Sequence, residues 1–229
     1  MLLIKKIAPL SSYQLMKFDS FGYVGIGKIQ FLSQWKNRKA FFDILNKLQD
    51  STSTTIQIFN PEPIISPQHL YFAIYFTEQA FALSSNISNT KSVEYLIYTS
   101  FQRQIKNAIE KVGFPFEDGI HPEYANIIIT GDSKEKVSQF STVVLPTIKA
   151  RIVEYVTPNL TNSRIQYLQS LFQIHDFEIK NALLCLGYSS EDKITDQKEE
   201  VKIRTILHVI IEKMTLLFME NFKHLNPVE

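Results

Sequence analysis

The amino-acid sequence predicts an α+β protein with a central, mostly antiparallel sheet flanked by helices. Apolar residues recur at helical spacing in several segments, most clearly near the C-terminus. Short apolar or alternating segments, such as 55–59 and 125–130, are typical of strands. The 229 residues are 45% hydrophobic and 12% aromatic, enough to bury a sizeable core. Because we find no internal repeat and no convincing linker, we expect one domain over residues 1–229.

The first third of the chain predicts two strands and one helix. Residues 22–31 indicate a strand with Val24 and Ile26 on one face. Residues 36–49 carry apolar side chains at helical spacing and predict a helix. Residues 55–59 alternate as a half-buried strand does, and the two prolines of segment 60–63 exclude a helix there.

The middle third predicts helices followed by a strand. Ser66 and Pro67 favour a helix start, since serine caps free amides and proline fits the first turn, and this helix runs to about residue 83. Segment 86–90 interrupts it. A short helix over 92–100 and a second over 102–112 follow, with Gly113 as the C-terminal stop. After the strand at 125–130, Asp132 is expected to cap the next helix.

The last third predicts a strand over 148–156 and a helix over about 162–172. Residues 189–200 are polar and indicate a loop. The final helix has the clearest apolar stripe. Its members are Ile203, Ile206, Leu207, Ile210, Met214, Leu217 and Phe218.

Composition restricts the possible partners and compartments. The net charge is +1, so nucleic-acid binding would have to be local rather than driven by a global basic field. The one cysteine, Cys185, allows no internal disulfide and favours a reducing compartment. The apolar run before Lys5 and Lys6 is too short for the apolar region of a signal peptide, and no run approaches the roughly 18 apolar residues of a membrane span. We expect a cytoplasmic protein, with the nucleus also possible in a eukaryote, and no membrane partner.

Motifs for catalysis, metals and cofactors are not found in the sequence. Gly22, Gly25 and Gly27 are spaced differently from a nucleotide-binding fingerprint, and a strand instead of a helix continues after them, so they predict a twisted or bulged strand. The five histidines have no metal-ligand spacing. Cys185 lies in an apolar run and is expected to be a packed thiol, and His175-Asp176 is interpreted as a helix cap. We expect a protein that is not an enzyme and needs no cofactor.

A polar cluster at a helix start, residues 101–106, is the leading candidate site. Helix starts offer free amides and a positive dipole end, arginine adds a bidentate donor, and nearby aromatic rings stack on unpaired bases. The alternative is a solvated helix start with a salt bridge from Arg103 to an acid. The candidate RNA-binding residues are Phe101, Gln102, Arg103, Gln104 and Lys106, with Tyr95 and Tyr98 as further stacking rings.

Two other segments are candidates for binding. Residues 35–39 are the densest basic run, typical of a solvated helix face, but Trp35 beside Lys36 and Arg38 keeps it as a second nucleic-acid candidate. On the final helix, Leu216 and Met219 widen the apolar stripe. Core packing is the default interpretation of this width, and a partner interface is the other.

The run from Ile56 to Gly113 resembles the kinase-binding (TPRKB-type) subunit of the KEOPS complex. A strand reading Ile-Gln-Ile-Phe-Asn precedes Ile64-Ile65-Ser66 and His69-Leu70. Asn86-Ile87, Ser92-Val-Glu-Tyr-Leu96 and Arg103-Gln-Ile105 then lead to Ala108-Ile109 and Val112-Gly113. The Arg-Gln-Ile form is more similar to archaeal members than to animal ones. Weaker likeness continues in order downstream. The chain is longer than is usual for the family, with insertions expected near 30–54, 114–124 and 187–200.

Membership would imply a non-catalytic adaptor. KEOPS forms threonylcarbamoyladenosine beside the anticodon of tRNA, and this subunit docks on the PRPK-like kinase/ATPase subunit and helps recruit tRNA, including its 3′ CCA end. The resemblance thus implies tRNA binding near Arg103, and the basic run at 35–39 adds Lys36 and Arg38 as candidate tRNA contacts. It also implies a kinase interface on the final helix, at Met214, Leu216, Leu217 and Phe218.

Two alternatives belong to other functional classes. One is an α+β protein-interaction scaffold whose partner is unrelated to tRNA. The other is a small transferase that uses a pocket beside His69 and Arg103, although the sequence offers neither a nucleophile nor a metal-ligand set for it.

Overall fold

The computed structural model describes residues 14–17, 22–117, 119–155, 159–189 and 191–225, with side chains from residue 22 to residue 222 of these ranges. The chain divides into two compact units. Unit 1 comprises the described residues of Met1–Pro61 and Phe114–Val156, and unit 2 those of Glu62–Gly113 and Thr157–Glu229.

The described strands all lie in unit 1, and helices occur in both units. In chain order they are β1 (Gln14–Lys17), β2 (Tyr23–Phe31), α1 (Arg38–Thr52), β3 (Thr55–Phe59), α2 (Pro67–Ala82), α3 (Lys91–Ser100), α4 (Ile105–Val112), β4 (Tyr124–Gly131), α5 (Lys134–Gln139), a π-helical turn (Phe140–Val144), α6 (Leu145–Thr147), β5 (Ala150–Val153), α7 (Asn162–Phe172), α8 (Asp176–Cys185), a 3₁₀ turn (Ile194–Asp196) and α9 (Glu199–Leu225).

Unit 1 contains the sheet. Its strands lie in the order β1–β2–β4–β3, β5 pairs with the last residues of β2, and every pair is antiparallel. In the central pair, Ile29 lies opposite Ala125 and Gly27 opposite Ile127. Alternate residues of each strand share a face, so this register collects apolar side chains on one side of the sheet.

The core of unit 1 forms where that face meets α1 and the segment 134–148. Its buried members include Ile29 and Ile127 from the sheet and Phe41 and Leu45 from α1. Burying an aliphatic or aromatic side chain of this size stabilises the fold by about 1.5–3 kcal/mol. The spacing of Phe41, Leu45 and Leu48 therefore accounts for the position of α1 on the sheet.

Unit 2 consists of packed helices. Helix α2 packs on α3 and α9, α3 on α4, and α8 on α9. The buried side chains include Leu70 and Ile74 of α2, Tyr95 of α3, and Ile210 and Met214 of α9. None of the described helices is both long enough and apolar enough to cross a bilayer.

The predicted fold class, α+β with an antiparallel sheet flanked by helices, is confirmed. The predicted strands at 22–31, 55–59 and 125–130 and the helix at 162–172 agree with the structure within one or two residues. The strand predicted over 148–156 is described only over Ala150–Val153, and its last residue, 156, lies outside the described part. The single domain over residues 1–229, and its insertions near 30–54, 114–124 and 187–200, stay predictions.

Three details of the helix ends were predicted wrongly. Ser133, not Asp132, caps α5, because its side chain accepts a hydrogen bond from the Lys136 amide at 3.3 Å. Helix α2 begins at Pro67 as predicted, yet the Ser66 side chain makes no capping hydrogen bond with the residues described. Helix α4 begins at Ile105 instead of residue 102, because the chain turns through residues 101–104 first.

Helix α8 was not predicted, and it also corrects the expectation for Cys185. The helix begins after His175, whose backbone amide donates to the Glu178 carboxylate at 2.7 Å, so His175 takes the cap position with Glu178, not Asp176, as its partner. Cys185 is the last residue of α8 and is exposed, not packed. Burial in α8 falls on Ile179, Ala182 and Leu183, which turn the thiol outward.

Candidate functional site

The Arg103 corner, defined as residues 101–106, is a sharp turn from α3 into α4. Phe101 ends α3 with φ 44°, a left-handed conformation. Its amide donates to the Tyr98 carbonyl and the Gln102 amide to the Ile97 carbonyl, each at 3.2 Å. These bonds close the helix end and place Arg103 at the outside of the corner.

The start of α4 leaves its amides open. Gln104 occupies the cap position, but within the described part of the chain no side chain caps this helix. The Gln104 side-chain oxygen instead accepts from the Asn107 side chain at 3.1 Å. The side chains of Arg103 and Lys106 beside it are 47% and 85% exposed. Open amides, the positive end of the helix dipole and two cations together favour an anion.

Arg103 also has an acidic neighbour, as the alternative interpretation of this cluster expected. Its guanidinium lies 3.8 Å from the Glu220 carboxylate, and the Glu220 side chain is 61% exposed. That distance is longer than a direct hydrogen bond, and exposed pairs contribute about 0–1 kcal/mol. A phosphate that makes direct hydrogen bonds can therefore replace Glu220 as the partner of Arg103.

The aromatic residues near the corner are less available than predicted. Tyr95 and Tyr98 are fully buried, so the prediction that they stack on bases is wrong. Burial, followed by the charge of Glu94, raises the pKa of Tyr98 above its usual value. Phe101 is half-buried with its ring centre 5.0 Å from that of Phe172. Only part of the Phe101 ring is left for a ligand.

The loop before α3 is held by a buried carboxylate that sequence reasoning missed. Glu94, fully buried, accepts hydrogen bonds from the amides of Ile87 at 3.0 Å and Ser88 at 2.7 Å. Burial raises the pKa of Glu94, and these two hydrogen bonds oppose that shift. The available signal was an acidic residue amid apolar neighbours at the start of a predicted helix. This residue orients the loop and α3, and hence the corner at the end of α3.

A second buried carboxylate joins α2 to α3. Glu78 accepts from the Lys91 ammonium at 2.6 Å and from the Tyr95 hydroxyl at 3.1 Å. Buried charges require such partners, because an unpaired one carries a large desolvation cost. The network explains why Tyr95 points inward and not toward a ligand.

His69 is enclosed in the interior of unit 2. Its Nε2 lies 2.9 Å from the Thr99 carbonyl oxygen, and its ring is edge-on to Phe172 at 5.8 Å between centres. Burial lowers the pKa of His69 from 6.5 to about 4, with the hydrogen bond to Thr99 opposing that shift. The transferase alternative requires an accessible His69, but among the residues that the structure describes its side chain is 0% exposed.

The predicted kinase interface on α9 needs correction at three of its four residues. Met214 and Leu217 are buried in unit 2 and present almost no surface to a partner. Phe218 is half-buried with its ring 5.6 Å from Phe76. Leu216 is exposed, as an interface residue should be. The helical stripe used for the prediction was the core-facing side, which the structure shows packed on α2.

A different set of α9 side chains forms an exposed apolar surface. Met219 and Phe222 follow Leu216 at intervals of three residues, each displaced by about 60° around the helix axis from the one before. The side chains of Met219, Phe222 and Leu216 are 49%, 40% and 60% exposed, respectively. We call these three residues the α9 surface. Glu220, the partner of Arg103, lies next to it in the chain.

The basic run lies in unit 1 at the start of α1. Lys36 and Arg38 are exposed, and the Arg38 guanidinium carbon lies 5.9 Å from the centre of the Phe42 ring. The Trp35 side chain already has partners within unit 1. Its Nε1 donates to the Ile148 carbonyl at 3.0 Å, and the Lys149 ammonium lies over its ring. The ring next to Arg38 is therefore Phe42, not the Trp35 named in the prediction, and nucleic-acid binding by this run stays a prediction.

Among the residues that the structure describes, no three His, Cys, Asp or Glu side chains are grouped as a metal site. No protein-family model matches the chain, and no curated protein matches it. The resemblance to the KEOPS subunit therefore stays a prediction from the residues that carry it.

Proposed function

We propose that the chain is a non-catalytic adaptor that binds RNA at the Arg103 corner and a protein partner at the α9 surface. The Arg103–Glu220 pair carries this proposal. It joins the exposed cationic corner to the helix that displays exposed apolar side chains, so that both candidate binding surfaces meet within unit 2.

The chemistry of the corner suits RNA phosphate. An arginine guanidinium donates two parallel hydrogen bonds to one phosphate. The Glu220 carboxylate, 3.8 Å from the Arg103 guanidinium, accepts no direct hydrogen bond from it. The uncapped start of α4 adds backbone donors, and Lys106 adds a second cation. Phe101 offers the exposed part of its ring to a base. The net charge of +1 suits a subunit that supplies part of an RNA footprint.

The chemistry of the α9 surface suits a protein partner. Its three side chains form an oblique strip of i, i+3 neighbours on a long helix, and exposed apolar strips of this kind dock into apolar grooves. Leucine, methionine and phenylalanine in adjoining exposed positions form the kind of apolar patch that marks interaction sites. Glu220 at the edge of this surface gives a partner a charged group for orientation.

The resemblance to KEOPS supplies the identities of both ligands. The protein partner is the PRPK-like kinase/ATPase subunit, and the RNA is tRNA with its single-stranded 3′ CCA end. In this role the chain holds tRNA for the formation of threonylcarbamoyladenosine beside the anticodon and carries out no chemistry itself.

A second function is favoured by the same ion pair. Because Arg103 already faces Glu220, the corner is also consistent with a scaffold subunit that binds only protein. In that case the Arg103–Glu220 pair links the corner to α9, and RNA has no part. The two functions differ in what happens to RNA binding when Arg103 changes.

A gel shift of the purified chain with intact tRNA, and with the same tRNA lacking its CCA end, tests the proposal. We expect trimming to weaken binding and Arg103→Glu to weaken it about tenfold or more, since a charge-assisted hydrogen bond is lost and repulsion is added. Glu220→Gln should strengthen binding, because it removes the competing carboxylate. Arg204→Glu is the matched control, since Arg204 is also exposed and paired with an acid, Glu200 at 2.8 Å.

The outcomes separate the two functions. Binding that depends on Arg103 and on the CCA end, and not on Arg204, supports the adaptor. Equal binding of both tRNAs by the wild type and by Arg103→Glu would leave the scaffold function.

A further inference from the structure

Unit 1 has a surface cavity at the start of α1. Its volume is about 590 Å³, within the range of about 300–1,000 Å³ that small-ligand sites occupy. It is lined by Asn37, Arg38, Lys39 and Phe42 on one side and by Phe116 and Glu117 on the other. A nucleotide-sized group fits this volume.

The lining combines two aromatic rings, tilted 57° to each other, with charges of both signs. The Arg38 guanidinium carbon stands 5.9 Å from the centre of the Phe42 ring, and the rings of Phe42 and Phe116 are 6.3 Å apart. Aromatic rings and arginine planes are the surfaces on which unpaired bases stack. Lys39, exposed, supplies a cation at the same cavity, and Glu117 supplies a carboxylate.

The frame of the cavity is fixed by hydrogen bonds. The Asn37 side chain accepts from the Ala40 amide at 2.8 Å and holds the start of α1. On the other wall, the Glu117 amide donates to the Ile120 carbonyl at 3.0 Å, and the Ile120 amide donates back to Glu117 at 2.9 Å. Phe116 is 4% exposed and fixed in the core behind Glu117. A preformed wall reduces the entropy that a ligand must lose on binding.

We propose that this cavity binds one unpaired guanine nucleotide of RNA. The base stacks on the outer face of the Arg38 guanidinium, which lies over the Phe42 ring, and Lys39 holds its phosphate. The Glu117 carboxylate accepts hydrogen bonds from the N1–H and N2–H donors of guanine. A carboxylate only accepts, and guanine is the base with two neighbouring donors on its pairing edge, so the cavity prefers guanine to uracil.

This inference rests on the proposed function, since RNA is the ligand in both. It adds a second contact, in the other unit, with its own base preference. It also gives Arg38 a role in stacking on the base. Lys36 is exposed but does not line the cavity, so it has no role there.

The test is fluorescence anisotropy of dye-labelled UGU and UUU trinucleotides with the full chain. We expect UGU to bind about tenfold more tightly than UUU, the ratio typical of one good base-edge contact. Glu117→Gln should remove most of this ratio, because the glutamine amide faces guanine N–H groups with donors of its own. Equal affinities of the wild type for UGU and UUU would overturn the proposal.

Charge variants on α1 locate the binding. Lys39→Ala should weaken UGU binding about tenfold through the loss of a charge-assisted contact. Lys47→Ala is the matched control, since Lys47 is exposed on the same helix but does not line the cavity. Removing a cation at a helix start does not threaten folding, because positive charge is unfavourable there. Equal weakening by the two variants would overturn the proposal.

Intact tRNA separates this inference from the proposed function. If Arg103→Glu weakens tRNA binding while Lys39→Ala does not, and UGU does not bind, the cavity proposal fails and the adaptor stands. If UGU binds in a Lys39-dependent manner while Arg103→Glu leaves tRNA binding unchanged, the cavity proposal stands and the Arg103 site fails.

Discussion

The His69 imidazole makes a buried hydrogen bond to the Thr99 main chain, with 2.9 Å between Nε2 and the carbonyl oxygen. A carbonyl oxygen only accepts, so Nε2 carries the proton and donates. Helix α2 is thereby joined near its start to the end of α3, just before the Arg103 corner. His69, which the sequence placed near the start of a helix, therefore holds α2 against α3.

Burial of the His69 imidazole makes the stability of unit 2 dependent on pH. Burial lowers the pKa of His69 from 6.5 to about 4. Between these values the unfolded chain binds a proton that the folded chain does not, so stability is complete above pH 6.5 and falls as the pH drops toward 4. We expect a loss of about 2 kcal/mol between pH 6.5 and 5. Urea denaturation at both pH values measures it.

The variant His69→Gln isolates this contribution. Glutamine retains an N–H donor but does not titrate, so the free energy of unfolding of the variant should fall less between pH 6.5 and 5 than that of the wild type. Parallel pH profiles of the two proteins would show that His69 does not carry the acid sensitivity.

The buried Glu78 carboxylate should make Lys91 important for folding. Among the described side chains, Lys91→Ala leaves that charge with only the Tyr95 hydroxyl as a hydrogen-bond partner. We expect a loss of about 2 kcal/mol in the free energy of unfolding, below the full cost of breaking a buried pair because the Lys91 side chain is 35% exposed. Thermal and urea denaturation measure this.

An exposed ion pair of similar length is the control for Lys91. Lys136 lies 2.8 Å from Asp132, whose side chain is 72% exposed. Lys136→Ala should cost about 0.5 kcal/mol or less, because solvent screens the pair. Similar losses for Lys91→Ala and Lys136→Ala would mean that burial of Glu78 does not control the effect.

Regular apolar spacing explains why much of the fold was predictable. In α1, the residues at helical spacing, Phe41, Leu45 and Leu48, are the ones buried on the sheet. Helix α8 has no such pattern, because Phe177 and Leu184 are apolar yet exposed beside buried neighbours. The sequence pattern gave no sign of which apolar side chains of α8 face inward. For the same reason, Cys185 was wrongly predicted to be buried.

The candidate site was predictable in position but not in contacts. A polar cluster after an apolar helix indicated an exposed corner, and Arg103 lies there. Glu220, its partner, is distant in sequence and brought close only by helix packing. The orientation of Tyr95 and Tyr98 depends on the rotation of α3 about its axis, which is set by contacts such as that of Tyr95 with Glu78.

Gly113 should resist substitution because of crowding, not because of its backbone angles. Its φ is −64°, which any residue adopts, but a Cβ there would lie 2.4 Å from the Ile109 carbonyl oxygen. We expect Gly113→Ala to cost about 2 kcal/mol as α4 shifts to relieve the contact. Urea denaturation measures the loss.

Gly119 provides the contrast to Gly113. Its φ is +83°, but no described atom lies within 4 Å of a Cβ built there. Gly119→Ala should cost about 1 kcal/mol, from the left-handed backbone alone. A smaller loss for Gly113→Ala than for Gly119→Ala would show that the close approach to Ile109 relaxes freely.

A new negative charge at Leu216 and at Phe218 of α9 should have very different effects on the free energy of unfolding. Leu216→Asp should leave the free energy of unfolding within about 0.5 kcal/mol, because the side chain is 60% exposed, and should abolish co-purification with a PRPK-like kinase subunit. Phe218→Asp should destabilise by more than about 2 kcal/mol, because its ring packs on Phe76. Leu184→Asp, at an exposed position of α8, is the control for kinase binding. Retained kinase binding by Leu216→Asp would place the interface away from the α9 surface.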